Sequence, residues 1–226
     1  MGDQAFLYDF DGLLVDSETA GLVSWRELYE HHGHQLDLDW WLTEVAAGRG
    51  PCMPREQLEA LVGSELDWDS LDRTRLARRD ALLVVRPGVL AHLAEARAHG
   101  VRLAVVSNAP DWWLHDKLPA TGLSMDWFEF IVTKADGLAR KPAADSYLYA
   151  LRRLGIRAED AIAFEDSPVG VRAALAAGVR CVAVPNEVTE HFDLGHATRV
   201  QPRLDSLPVR RLLEIASGRH DDQIRT

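Results

Sequence analysis

The sequence predicts an α/β fold: a Rossmann-like parallel sheet with an α-helical cap inserted after its first strand. Three observations carry this. The apolar run Ala5-Phe6-Leu7-Tyr8 leads straight into Asp9-Phe10-Asp11-Gly12, as a buried strand does where it ends in a polar turn. From Val89 onward, strand-like and helix-like segments alternate, the pattern of a parallel sheet covered by helices on both faces. Between the two, from about Glu18 to Leu83, the chain is helical in period, rich in charge and poor in strand signal.

The first strand is residues 5–8, and helices are predicted over 19–31, 40–47, 55–61 and 71–83. Val84-Val85-Arg86-Pro87-Gly88 marks a boundary, because Pro and Gly together punctuate a chain. Residues 89–99 then read as a helix stopped by Gly100, 101–106 as a strand, 111–118 as a helix and 130–132 as a strand. A helix over 143–154 ends at Gly155, and 161–164 is a strand. Ser167 and Pro168 stand as cap and first residue of the next helix, which runs to Ala177 and stops at Gly178. Residues 181–184 are a strand and 209–216 a last helix; the polar tail from Gly218 is expected to fray. The expected division is an α/β core of residues 1–16 and 86–226, carrying the chemistry, and a helical cap of residues 17–85.

Composition narrows the class without naming it. Hydrophobic residues at 47% and charged residues at 27% are ordinary for a globular protein. No apolar run approaches the roughly 18 to 20 residues needed to cross a bilayer. Met1-Gly2-Asp3-Gln4 lacks the basic and apolar stretches of a signal peptide. Cys52 and Cys181 are too few and too far apart for a disulfide framework or a zinc site, so a reducing cytoplasm is expected. The formal charge of −10 argues against nucleic-acid binding, which needs a basic face. It leaves a phosphate substrate open, because a metal ion and a few basic side chains can reverse the local field. The expected partner is a small phosphorylated metabolite, with neither nucleic acid nor membrane, and the protein is expected as a monomer or weak dimer.

Four polar clusters fall at or just after the carboxyl ends of predicted strands, where open α/β sheets bind ligands. They are Asp9 with Asp11, Ser107-Asn108, Lys141-Pro142 and Glu165-Asp166. Asp9 and Asp11, two residues apart, project to one side of an extended strand, and close carboxylates need a cation or a shared proton. Glu165 and Asp166 can add oxygen ligands. Carboxylates without a neighbouring His or Cys favour a hard cation, and beside phosphate that is Mg²⁺, with Lys141 balancing the remaining charge. The Ser107 hydroxyl, with nearby backbone N–H groups, can hold phosphate oxygens. Each cluster also has a plain structural reading: an Asp-Gly turn, a helix cap at Ser107-Asn108, a solvated lysine, a cap before Pro168.

Asp9-Phe10-Asp11-Gly12-Leu13-Leu14-Val15-Asp16-Ser17-Glu18 closely resembles the first motif of the haloacid dehalogenase-like (HAD) hydrolase superfamily. Val105-Val106-Ser107-Asn108 resembles its second motif, Lys141-Pro142 its third and Phe164-Glu165-Asp166-Ser167 its fourth, in matching order from residue 5 to about 186. The insertion resembles the helical cap of the subgroup that includes sugar-phosphate phosphatases and β-phosphoglucomutase. The resemblance implies that Asp9 is a nucleophile that forms an aspartyl-phosphate and that Asp11 is the general acid and base. It implies Mg²⁺ held by Asp9, the Asp11 carbonyl and Asp166, with Glu165 a direct or outer ligand. Ser107, Asn108 and Lys141 would form the phosphate site, with Ser107 and Lys141 on the transferring oxygens. The cap would close over the reaction.

Related activities are separated by particular residues. A C–halogen hydrolase needs neither magnesium nor a second acid two residues on, so Asp11 with Glu165-Asp166 speaks against it. In β-phosphoglucomutase-type mutases a cap histidine shortly after the first motif gates proton transfer; the matching position here is Gly21. A catalytically silent phosphate-binding protein would have no use for both Asp9 and Asp11. A phosphatase of small phosphomonoesters, sugar phosphates first, is the expectation. For specificity the candidate is the cap loop Ala47-Gly48-Arg49-Gly50-Pro51, in particular Gly48 and Arg49. Trp40 and Trp41 are expected to pack within the cap, Trp112 and Trp113 to serve a core or interface, and the nine histidines to lie at the surface near helix ends.

Overall fold

The computed structural model describes residues 4–45 and 53–216. Among them, strands β1 (Ala5–Tyr8), β2 (Arg102–Val106), β3 (Phe130–Val132), β4 (Ala161–Glu165), β5 (Arg180–Ala183) and β6 (Arg199–Val200) form one sheet. Its order is β3-β2-β1-β4-β5-β6, and every pairing is parallel. This is the Rossmann-like α/β architecture that the alternating pattern predicts. β1 sits centrally, with Leu7 opposite Ala104 on one side and Ala163 on the other. The chain leaves β1 towards β2 and β3 and returns on the far side through β4. The topological switch point therefore lies between β1 and β4, where such sheets open a crevice.

All four β1 side chains are fully buried, as a strand covered on both faces requires. Successive residues point to opposite faces. Phe6 and Tyr8 join Leu103, Val105 and Phe164 in one apolar layer with Leu93 of α5 (Val89–Ala98) and Leu212 of α9 (Val209–Ala216). Ala5 and Leu7 join Ala104 and Val106 in the other, against Tyr147 of α7 (Asp145–Leu154) and Val171 of α8 (Pro168–Ala176). The remaining core helix, α6 (Asp111–Ala120), follows β2.

The segment between β1 and α5 is helical: α1 (Ser17–His31), the short α2 (Leu38–Trp40) continued by a π-turn at Trp41–Val45, α3 (Met53–Val62) and α4 (Trp68–Leu82). It has its own apolar cluster, built on Trp25, Leu28, Tyr29, Trp41 and Leu58, with Trp40 packed against it. The chain enters and leaves this segment through two adjacent threads. Asp16 N–H donates to Val84 O and Arg86 N–H to Leu14 O, 2.9 and 3.1 Å. α1 begins two residues before the apolar period and α4 three, because Asp16 and Asp67 act as N-caps, accepting from the N–H groups of Thr19 and Ser70. β6 was not expected: both its residues are exposed, so no apolar pattern marks it.

One expectation is corrected. His92 is not at the surface; it is 1% exposed in the layer of Phe6, Tyr8 and Phe164. Its Nε2 pairs with the Tyr8 hydroxyl at 2.9 Å, while Nδ1 has no partner among the described residues. It lies on the sheet-facing stripe of α5, and an imidazole fills that space as an aromatic would. Burial pushes its pKa down to about 4. The unfolded chain, with an ordinary value near 6.5, therefore binds a proton that the folded chain refuses between these limits. That contribution to stability is intact above about pH 6.5 and is lost as pH falls towards 4, by about 3 kcal/mol in full. Urea denaturation at pH 7 and pH 4.5 should show a smaller acid loss for His92→Gln than for the wild type.

Candidate active site

The side chains at the carboxyl ends of β1, β2 and β4 converge, and Lys141 joins them from the loop before α7. Asp9 follows β1, its N–H donating to Phe164 O at 3.0 Å. Its Oδ1 accepts from Phe10 N–H at 2.8 Å and faces Lys141 Nζ at 3.1 Å. The Lys141 ammonium also donates to Val106 O and Glu165 Oε1, each at 2.6 Å, so its three protons are directed at three acceptors. It is 7% exposed. Burial works against its charge, but Asp9 and Glu165 outweigh that and hold its pKa above the ordinary value.

Asp9, Glu165 and Asp166 each offer a carboxylate oxygen within 4.8 Å of the others. Burial first, then the charge of Asp9, pushes Glu165 up to about 8 and Asp166 well above its ordinary range. Three carboxylates around one ammonium leave negative charge that a hard cation would relieve, and an all-oxygen donor set fits Mg²⁺. The Asp11 side chain stands outside this trio. Its Oδ1 accepts from the Trp113 indole N–H at 3.0 Å, and burial, followed by Asp9, raises its pKa to about 6.

Local geometry explains the glycine after the paired acids. Gly12 has φ +73°, and a Cβ there would lie 2.1 Å from Asp166 Oδ2 and 2.9 Å from Asn186 Nδ2. A side chain would push Asp166 away. The Gly12 N–H donates to Ser17 Oγ at 3.0 Å, and Asp16 caps α1, so the rest of that motif closes the turn. Gly170, in the first turn of α8, has the same function for Glu165, whose Oε2 lies 1.8 Å from where a Cβ would stand. The cap of α8 is Ser167, accepting from Gly170 N–H at 3.3 Å, which leaves Glu165 and Asp166 free of that task.

Ser107 is buried beside Asp9 along the same cavity, its Oγ accepting from Ala109 N–H at 3.0 Å. Asn108 lines the cavity too, but its amide is used on the backbone of Lys141, accepting from the N–H at 2.9 Å and donating to the carbonyl at 3.4 Å. It fixes the loop that presents the lysine. The cavity, about 380 Å³, is lined by Asp9, Asp11, Ser107, Lys141 and Ser167 among others. Gly48 and Arg49 lie outside the described residues.

Sequence reasoning missed several participants. Asn186 Nδ2 donates to Asp166 Oδ2 and to Gly12 O, 2.8 and 3.0 Å. It stands just beyond β5, at the edge already known to carry polar residues, so its position was a usable signal. Arg86 donates to the carbonyls of Gly12 and Val184, tying the second thread of the helical segment to the motif turn. Tyr147 donates its hydroxyl to Glu165, and Trp113 its indole to Asp11. Both sit on helices, where only tertiary packing shows what a ring's polar atom meets.

A model of the haloacid dehalogenase-like hydrolase family matches residues 6–184, and the chain belongs to this family. YhcW of Bacillus subtilis is 38% identical over 189 residues, 82% of this chain and 85% of that protein. The fructose-1-phosphate phosphatase YqaB of Escherichia coli is 28% identical over 181 residues, 79% of this chain and 94% of that protein. Among solved structures, a HAD family hydrolase from Deinococcus radiodurans with bound phosphate and sodium superposes with a TM-score of 0.78 at 29% identity, covering 94% of this chain and 96% of that one. A mutant of CbbY from Rhodobacter sphaeroides in complex with xylulose-(1,5)bisphosphate gives 0.70 at 26%, covering 91% and 96%.

Proposed function

We propose that this HAD-like phosphatase is Mg²⁺-dependent and hydrolyses small phosphomonoesters, sugar phosphates first, through a phosphoryl group carried on Asp9. The observation that carries this reading is the meeting of Asp9, Glu165, Asp166 and Lys141 in one buried cluster beside Ser107. A sugar-phosphate phosphatase among the relatives and a bisphosphate-bound neighbour support the substrate class. Residues 17–85 act as a cap on a core of residues 1–16 and 86–226; the paired threads at Val15 and Val85 and the separate apolar cluster support that division. Among the described residues no helix is long and apolar enough to cross a membrane, and Cys181 is a buried free thiol; a cytoplasmic enzyme is in keeping with both.

In the proposed reaction an Asp9 carboxylate oxygen attacks phosphorus and the bond to the ester oxygen breaks. Asp11 gives its proton to the departing oxygen. It then takes a proton from the water that attacks the aspartyl-phosphate, and phosphate leaves with the Asp9 carboxylate restored. Lys141 and Ser107 stabilise the oxygens of the transferring group. Asp9, Asp166 and the Asp11 carbonyl would hold Mg²⁺, with Glu165 beside them; bound there, it screens the negative charge between nucleophile and phosphate. Gly21 presents no side chain to the neighbouring cavity wall and has open space around it, which favours hydrolysis over the mutase that needs a histidine there.

The test is a panel of sugar phosphates with Mg²⁺, read as released phosphate. Turnover of at least one, abolished by EDTA, is expected; no release from any would refute the reading. Trp113→Phe keeps the ring between Arg79 and Lys117 but removes the donor to Asp11. Steady-state kinetics should show kcat reduced by roughly 10- to 100-fold with KM changed far less, as misplacement of an acid–base group does.

A further inference from the structure

A second cavity, about 360 Å³, opens between the helical segment and α6 and meets the first at Asp11 and Glu18. Its far wall carries Arg75 and Arg79, one turn apart on α4. Each guanidinium lies over an indole, Arg75 4.1 Å from the Trp25 ring centre and Arg79 4.3 Å from that of Trp113. A cation over an indole face is held there without using its N–H groups. Arg75 donates through Nε and Nη2 to Asp72, and Arg79 through the same pair of atoms to Asp80. Neither Nη1 has a hydrogen-bond partner among the described residues.

These carboxylates are shared. Asp72 also takes Arg55, and Asp80 takes Lys117 at 2.7 Å, which in turn reaches Asp116 at 2.6 Å. Four cations thus lean on three carboxylates, and the wall stays positive in a chain of formal charge −10. Two like charges one helical turn apart repel unless an anion lies between them. At the junction no cation stands among the lining residues the two cavities share: Glu18, pushed up to about 7 by burial and then by Asp11 and Asp9, offers a hydrogen-bonding group for a hydroxyl rather than a partner for an anion.

We propose that Arg75 and Arg79 form a subsite for a second anionic group, phosphate or carboxylate, at the far end of the substrate. This rests on the phosphatase reading, and it narrows the substrate to a phosphorylated sugar whose hydroxyls pass Glu18 and whose other end is charged. The two free Nη1 groups supply the donors that such an anion takes.

Binding to full-length Asp9→Asn protein by calorimetry, with Mg²⁺, separates this subsite from turnover. Fructose 1,6-bisphosphate should bind at least about tenfold tighter than fructose 6-phosphate. In the Arg75→Gln/Arg79→Gln double variant that ratio should fall below about threefold, and Arg75→Lys/Arg79→Lys should recover part of it. 6-Phosphogluconate identifies the anion: binding as tight as the bisphosphate shows that a carboxylate serves, and binding like the monophosphate shows that a phosphate is required. Equal affinity for bisphosphate and monophosphate, or a ratio unchanged in the Gln variant, overturns the subsite. A tenfold ratio that falls in the Gln variant, with no phosphate released by the wild type, overturns the phosphatase reading and leaves the subsite standing.

Discussion

Asp9→Asn is expected to lower phosphate release by roughly 10⁴-fold or more, with the fold and substrate binding retained. The amide is nearly isosteric with the carboxylate, so Phe10 N–H keeps an oxygen to donate to. What is lost is the proposed nucleophile: a neutral amide oxygen does not displace an alkoxide from phosphorus, and without a covalent step water must attack the ester directly. Removing one negative charge from the cluster should also relieve Glu165 and Asp166, both of which Asp9 destabilises as carboxylates. A melting temperature equal to or above that of the wild type, together with lost turnover, is the expected pair of results. Turnover within tenfold of the wild type would remove Asp9 from the reaction.

Lys141→Met is the second large effect, and it acts on both stability and rate. The ammonium is the single cation in contact with Asp9 and Glu165 among the described residues. Deleting it leaves Glu165, fully buried, with only the Tyr147 hydroxyl. Removing one partner of a buried pair costs up to about 3–5 kcal/mol where the remaining group keeps its charge. Glu165, already pushed up to about 8, can take a proton, so the loss should be smaller near pH 7 and grow above pH 8. Methionine keeps the apolar stem, so packing loss adds little. Urea midpoints should report that loss, and kcat should fall by roughly 10²- to 10³-fold as the phosphoryl oxygens lose their positive neighbour. A variant as stable as the wild type would mean that Glu165 is neutral in the native protein.

The fold and the four polar clusters were legible because each leaves a local mark. β1 is an uninterrupted apolar run, and Asp9 and Asp11 follow it at once. Ser107, Lys141 and Glu165-Asp166 stand at or beyond the ends of runs of the same kind. Gly12 could be seen as a turn residue, but its deeper reason, the close approach of Asp166, is a long-range contact. Asn186 had a usable signal in its place just beyond β5, but Tyr147, Trp113, Arg75 and Arg79 were beyond reach for that reason. Each does its work through a partner far away in the chain, and nothing in its neighbours announces that partner. His92 misled because a polar residue was read by type, whereas its helix face and the aromatic rings opposite it decide its burial. The early starts of α1 and α4 are the reverse case: Asp16 and Asp67 were local cap signals that the apolar period alone passes over.

In the proposed reaction one carboxylate, Asp9, accepts the phosphoryl group in a cluster completed by a divalent cation. Acid-quenched turnover of a sugar phosphate, followed by peptide mass spectrometry, reads this directly. A phosphoryl adduct on the peptide carrying Asp9, present with Mg²⁺ and absent after EDTA, is the result the structure leads to. An adduct on a different residue, or metal-independent turnover with no adduct at all, would contradict it.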